Sequence, residues 1–543
     1  MNKLEIFQEW KKYFIGDKFY TNKLNEIANI EEDETFFHSF LIDDRKIKGR
    51  IDVGYNSFNP ITIKLISNSF AEFLRESKID KGLKAKILIS HDGSEELRTF
   101  IEIMNQVFLE NDLDVYLFEE NKGKPLSLIQ NSLNNIKVSL CFYFSRPNKN
   151  YRNYWLQIFN ANSEFLENSI LFLITNNINK QIPLVNSIAT KKSFYLLSKK
   201  IETEYIDSLL KIQINSSNDK KLKVLIANSS KIAYDLMQDI SSLMNIEFIL
   251  SKKVSYLNSD FFTKAKNTKF LRYLNKFILQ AKKSKLDVIL VPSFNANQID
   301  VIIRNNNDYW LLNHEQIAIL LLEYIFANKS ENFIAENNFV VTTKNSSEII
   351  ERICKKHNVA LYEDTNFFQN MKNYEKKLLL YFDEEGRFLL NSSISTSSDI
   401  FQLQVLLLEV LNYHKSQTRD LNVVLTNFVS KYSKKVLFEK TLQMSKIVLV
   451  ESLKKISIYH VLGDLKIKNI EYFKNFNDSI REKQFIAKIH FEEGSSILFT
   501  YYSYTNIVSI FIVTENEYRE ELTNKKINKN IKIFNDLKRK FLI

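Results

Sequence analysis

The sequence predicts an α/β protein made of three consecutive α/β/α units and a C-terminal domain of antiparallel sheet and helix. Two patterns carry this prediction. Short apolar runs alternate with longer amphipathic stretches through most of the chain, and near the end the runs follow one another directly. Strands flanked by helical residues argue for βαβ units with buried parallel sheets, whereas strands joined by short turns argue for antiparallel pairing.

In chain order, the strand-length runs are KILIS (86–90), DVYLF (114–118), VSLCFYF (138–144), LKVLIAN (222–228), FIL (248–250), LDVILVP (286–292) and NFVVT (338–342). Each is rich in Val, Ile, Leu and aromatic residues, the composition that packs on a pleated surface. Helical periodicity covers 95–110, 230–244, 263–285, 314–327 and 347–356, and a helical block is expected from Ser398 to Ser445. The segments 485–493, 495–503 and 506–513 then read as consecutive strands. In the last segment Ile527, Ile531, Phe534, Leu537 and Phe541 recur at helical spacing, which predicts a closing helix with an apolar stripe. No tandem repeat or low-complexity linker interrupts the chain. The resulting divisions are 1–205, with an N-terminal helical extension, 206–330, 331–440 and 441–543.

Composition narrows the function. The chain has 543 residues and only nine glycines, none between Lys124 and Glu385. At ordinary usage of roughly 7% about 38 would be present. Glycine is the residue that lets a backbone turn with positive φ or approach a phosphate closely, so loops without it are poorly equipped for phosphate chemistry. Cys141 and Cys354 are the only cysteines, which excludes a disulfide framework and a thiolate zinc site. No phosphate-cradling or dinucleotide-binding glycine motif occurs. The N-terminus has neither a secretory leader nor a membrane span, so a cytoplasmic protein is expected. The formal charge is +11, but residues 525–540 alone hold seven Lys/Arg against one acid, Asp536. With no base-reading motif beside it, this basicity does not point to specific nucleic acid.

Several loops carry a more specific signal. The segment Ile47-Lys48-Gly49-Arg50-Ile51-Asp52-Val53-Gly54-Tyr55-Asn56-Ser57-Phe58-Asn59 precedes the first unit's strands. The strand Ile87-Leu88-Ile89 runs into Ser90-His91-Asp92-Gly93-Ser94, and VYLFEENKGKP occupies 115–125. VSLCFYF runs into Ser145-Arg146-Pro147-Asn148-Lys149, and LDVILVP into Ser293-Phe294-Asn295-Ala296-Asn297-Gln298. Further on stand Ala227-Asn228-Ser229-Ser230-Lys231, Phe382-Asp383-Glu384-Glu385 and Tyr501-Tyr502-Ser503-Tyr504-Thr505-Asn506. In order and spacing these segments resemble the landmark loops of the α-D-phosphohexomutase family, the phosphoglucomutases and phosphomannomutases.

The resemblance implies where function would sit. Ser145 matches the serine that carries the transferred phosphoryl group, with the family's following histidine replaced by Arg146. Lys48, Lys149, Asp383, Glu384, Ser503 and Thr505 match substrate-binding positions. The family holds magnesium with three aspartates, and at the matching positions this chain has Ser293, Asn295 and Asn297, all neutral. Magnesium prefers hard anionic oxygen, and each lost charge is worth about 4 kcal/mol at roughly 4 Å and an effective dielectric near 20. The family's phosphate-clamping arginine is matched by Tyr501. These departures imply a degenerate member that lacks a metal cofactor and serves as a structural, interaction or regulatory subunit bound to another protein or complex, with residual sugar-phosphate binding still open. The alternative is a divergent active mutase working through Ser145, Lys48, Asp383 and Glu384 with Mg2+.

Overall fold

The computed structural model describes the chain apart from residues 1, 78–83, 120–121, 147–152, 177, 179–192, 216–221, 252–267, 306, 330–337, 345, 347, 375–376, 418–420, 422, 426, 428–434, 457–459, 474–482, 504–505, 516–526 and 542–543. Four sheets follow one another along it.

The first sheet comprises β1 (Leu41–Asp43), β2 (Lys46–Arg50), β3 (Lys86–His91), β4 (Asp114–Phe118), β5 (Leu140–Ser145), β6 (Asn153–Asn160) and β7 (Tyr195–Leu197), in the order β1-β2-β6-β5-β3-β4-β7. Strands β5, β3, β4 and β7 run parallel, and β6 returns antiparallel to β5. The second sheet contains β8 (Lys223–Ile226), β9 (Glu247–Leu250), β10 (Val288–Pro292), β11 (Ile299–Asn305) and β12 (Asp308–Leu311), ordered β12-β11-β10-β8-β9. The third contains β13 (Asn338–Thr342), β14 (Ala360–Glu363), β15 (Lys377–Phe382) and β16 (Phe388–Leu389), ordered β14-β13-β15-β16. The expected continuous apolar strands lie at the parallel centres of these sheets, where both faces are covered.

The predicted helices form at Arg98–Glu110, Lys231–Leu243, Thr268–Ser284, His314–Asn328 and Glu348–Lys356. Ser230 caps the second of these by accepting the Ala233 N–H, and Asn313 caps the fourth with a reciprocal Gln316 side-chain bond.

The expected helical block over 398–445 is corrected. A helix spans Ile400–Ser416, but Lys435–Gln443 is a strand, β17, laddered antiparallel to β22 (Ile507–Glu515) over its whole length. The run KVLFEKTLQ contains β-branched and aromatic residues that suit either element, and pairing with β22 decides it. The fourth sheet is wholly antiparallel, with β18 (Val461–Leu462), β19 (Leu465–Tyr472), β20 (Lys483–Phe491) and β21 (Ser496–Tyr502) completing the order β17-β22-β21-β20-β19-β18. The closing helix spans Ile527–Phe541; of its expected stripe Leu537 is buried and Phe534 half-buried, and Ile533, which the stripe did not include, is buried as well. The side chains of Ile527, Ile531 and Phe541 lie outside the described residues.

One apolar core is shared by the first three units. It runs from Leu88 and Leu128 through Val224, Leu290 and Leu320 to Val340 and Leu380, and it includes most of the helix Ile400–Ser416. That helix is buried nearly all round. Its Glu409 carboxylate accepts the backbone N–H groups of Ile214 and Asn215, Gln404 Nε2 donates to the Met237 carbonyl, and Lys415 pairs with Asp287 at 2.7 Å. The fourth sheet has a core of its own, formed with the helices Lys446–Ile456 and Ile527–Phe541. Among the described residues no helix is long and apolar enough to cross a membrane.

Candidate active site

The loops of Lys48, Ser145, Ser293 and Asp383 meet where the first three sheets converge. Ser145 ends β5, opposite Trp155 on β6. It is 5% exposed and its hydroxyl donates to Gln157 Oε1 at 3.2 Å. Arg146 follows, and its backbone N–H donates to Asp92 Oδ2 at 2.7 Å, which ties the serine loop to the loop after β3. Asp92 is fully buried, and that burial pushes its carboxyl above the ordinary range even though Ser94 and Arg146 donate to it. The Arg146 guanidinium lies 3.5 Å from Glu96 and 4.9 Å from the ring centroid of Phe294 in the β10–β11 loop. The carboxylate paired with this guanidinium is therefore Glu96, while Asp92 is held by the Arg146 backbone.

The β10–β11 loop is closed on itself. Ser293 Oγ lies 3.0 Å from Asn295 Oδ1 and 3.2 Å from Asn297 Oδ1, and it accepts the backbone N–H groups of Asn297 and Gln298. Ala296 takes the left-handed conformation, φ 57°, at the turn. The three residues matching the family's metal positions are thus neutral oxygens bonded to one another, a donor set that does not fit a hard divalent ion. Among the described residues no group of three His, Cys, Asp or Glu could hold a metal. The loop before the helix Lys231–Leu243 fastens onto it, with Ser229 Oγ donating to the Pro292 carbonyl at 2.6 Å and Ser230 Oγ to the Phe294 carbonyl at 2.8 Å.

Asp383 and Glu384 sit on the turn between β15 and β16. The buried Asp383 carboxylate accepts the Tyr381 hydroxyl, the backbone N–H groups of Glu385 and Arg387, and Arg387 Nε at 2.6 Å. Four donors fill the lone-pair positions of a carboxylate. Glu384 is half-buried, and its Oε2 accepts the Thr343 hydroxyl at 2.6 Å. The turn abuts the second unit, because the Ile299 N–H donates to the Gly386 carbonyl and His314 Nδ1 lies 2.9 Å from the Glu384 carbonyl.

Lys48, on β2, is buried against Asp43 at 2.8 Å with its ammonium 5.7 Å from the Trp155 ring. Burial acts to raise the carboxyl of neighbouring Asp44, but Lys46, Lys48 and Arg387 overcome it and hold that carboxyl below its ordinary value. Arg387 thus places the third unit's turn beside the β1–β2 hairpin. Lys149 and Thr505 lie outside the described residues. Ser503 is half-buried at the end of β21, and the adjacent Tyr501 packs in the fourth sheet's core with its hydroxyl donating to Asn506 Oδ1 at 2.6 Å.

The structure therefore brings together the loops of Lys48, Ser145, Ser293 and Asp383, while Tyr501 belongs to the separate core of the fourth sheet. Gln157, Asp92 and Phe294 join the site although the sequence did not single them out. For Phe294 a signal existed: one aromatic residue in an otherwise polar loop.

No protein-family model matches the chain. A phosphomannomutase of Mycoplasmoides pirum is 23% identical over 226 residues, a match that spans 40% of this chain and 40% of the relative. Among solved structures, a phosphoglucomutase/phosphomannomutase family protein of Burkholderia thailandensis aligns with a TM-score of 0.59 at 11% identity, covering 92% of this chain and 97% of that one. The open form of parafusin from Paramecium, an exocytosis-sensitive phosphoprotein and phosphoglucomutase, aligns at 0.61 with 13% identity, covering 92% and 95%. The chain is phosphohexomutase-like: its fold is that of the phosphoglucomutases and phosphomannomutases it resembles.

Proposed function

We propose that this chain is a catalytically degenerate phosphoglucomutase/phosphomannomutase-like protein that acts as a non-catalytic structural, interaction or regulatory subunit. The observation that carries the reading is the β10–β11 loop, where Ser293, Asn295 and Asn297 replace carboxylates and spend their oxygens on one another. A serine hydroxyl is a weak nucleophile without an activating base or a metal to organise the phosphate. Ser145 donates to a neutral glutamine amide, and the basic residue beside it, Arg146, cannot accept a proton. The acid proposed to receive sugar hydroxyls, Asp383, is already saturated by Tyr381, Arg387 and backbone N–H groups. On this reading the protein needs no metal cofactor, and its ligand is another protein or complex.

The test is turnover of glucose 1-phosphate and mannose 1-phosphate by the purified chain, with and without magnesium, together with mass spectrometry of the peptide containing Ser145. The expected result is no turnover above background and no phosphoserine. Activity that disappears in Ser145→Ala would establish the divergent active mutase instead.

A further inference from the structure

Between Asp260 and Asp287 the sequence carries eight Lys and Arg residues and no acid, against a formal charge of +11 for the whole chain. The helix Thr268–Ser284 lies in this stretch. Its apolar side packs on the outer face of the second sheet, where Leu274, Phe277 and Ala281 are buried with Leu225, Ile289 and Val291. That packing fixes which side looks outward. Lys276, Leu279 and Lys283 recur at helical spacing with Lys282 beside them, and all four are exposed. Leu279 is 67% exposed, an apolar side chain standing among ammonium groups. Lys282 meets Asp308 at 2.9 Å, a pair open to water and therefore weakly held.

We propose that this outward face is a docking surface for an anionic lipid bilayer, with the helix lying in the headgroup plane and Leu279 reaching into the acyl boundary. Its chemistry selects a bilayer over other anionic partners. The exposed charges on the face are lysines, point charges that attract headgroups without the planar, bidentate fit of arginine. Protein interfaces are depleted in lysine. Nucleic acid would find no ring to stack on, because Tyr273 and Phe277, with ring centroids 5.2 Å apart, pack against the sheet. The helix leads into the start of β10, whereas Ser293 follows that strand's last residue, so the surface is separate from the candidate active site. The inference goes beyond the functional reading and holds whether or not the chain turns over a substrate.

Cosedimentation of the full chain with vesicles tests it. The natural chain is expected to bind phosphatidylcholine vesicles containing about one-third phosphatidylglycerol, to be released by high salt, and to ignore vesicles of phosphatidylcholine alone. Lys276→Gln, Lys282→Gln and Lys283→Gln together are expected to weaken binding about a hundredfold, and Leu279→Gln alone about fivefold. Reversing Lys525, Lys529 and Lys532 to Glu on the closing helix is expected to leave it within about threefold of the natural chain. The proposal is overturned by no binding to the anionic vesicles, by equal binding to the neutral ones, or by a glutamine triple variant or a Leu279→Gln variant that binds as tightly as the natural chain. It is equally overturned by a closing-helix variant that binds as weakly as the glutamine one, which would move the surface to that helix, or by tighter retention on polyuridylate or polyglutamate than on the vesicles, which would assign the face to nucleic acid or to an acidic protein.

Discussion

Asp399 offers a measurable electrostatic perturbation of the shared core. It is completely buried at the N-terminus of the helix Ile400–Ser416, where it accepts the N–H groups of Phe401 and Gln402, the Gln402 side-chain amide and the Tyr205 hydroxyl at 2.9 Å. Burial pushes its carboxyl from 3.8 up to about 6, against the pull of these donors. The folded state thus holds a proton more tightly than the unfolded chain. The stability this group contributes is fully present below pH 3.8 and is lost as the pH rises through about 6. A shift of about two units corresponds to about 3 kcal/mol. In Asp399→Asn the cap oxygen is kept and the charge is removed. The variant should therefore gain on the natural chain by about 2 kcal/mol between pH 4 and pH 7, the remainder lying below pH 4. Trp10, Trp155 and Trp310, the only tryptophans, all lie in the first two units, so urea unfolding followed by their fluorescence reports on this part of the molecule. A stability difference between the two proteins that stays flat from pH 4 to pH 7, or that falls, would refute the reasoning.

Restoring carboxylates by Ser293→Asp, Asn295→Asp and Asn297→Asp together should create magnesium-dependent thermal stabilisation that the natural chain lacks; clear stabilisation of the natural chain by millimolar magnesium would count against the proposed loss of the site. Gly386 has φ 83°, and a Cβ there would lie 2.7 Å from His314 Nε2, so Gly386→Ala should cost about 2 kcal/mol or more, read as a lowered urea midpoint. Reversing Lys525, Lys529 and Lys532 to Glu should leave the fold intact, since the Lys532–Asp464 pair is largely exposed and adds little to stability. The same triple variant should weaken copurification of an acidic partner more at low salt than at high salt, and copurification unaffected at both would rule out the closing helix as the docking surface.

The sequence displayed the buried parallel strands openly because both their faces are covered, which makes β3, β5, β8 and β10 continuous apolar runs. Strands such as β1, β2 and β12 mix charged and apolar residues, and only their ladders identify them. Strand β17 was hidden for a related reason, since its partner β22 follows far later in the chain. In the site, Ser145 was legible from the apolar strand that delivers it. Its acceptor Gln157 was not, because the antiparallel register of β5 on β6 puts it there. Asp383 drew notice as a match to a substrate-binding position, whereas its saturation depends on Tyr381 and Arg387 folding back around one turn.

The helix Ile400–Ser416 has a consequence for synthesis. It touches Tyr205 at the end of the first unit, Ile214, Met237 and Asp287 in the second, and Asn391 in the third. A chain emerging from the ribosome N-terminus first has made all three sheets before this helix exists. Until residue 416 has cleared the exit, apolar surface on the first two units stays open to water and to other nascent chains. That apolar surface is therefore expected to stay exposed late in synthesis, with all three sheets already made and their common centre still missing.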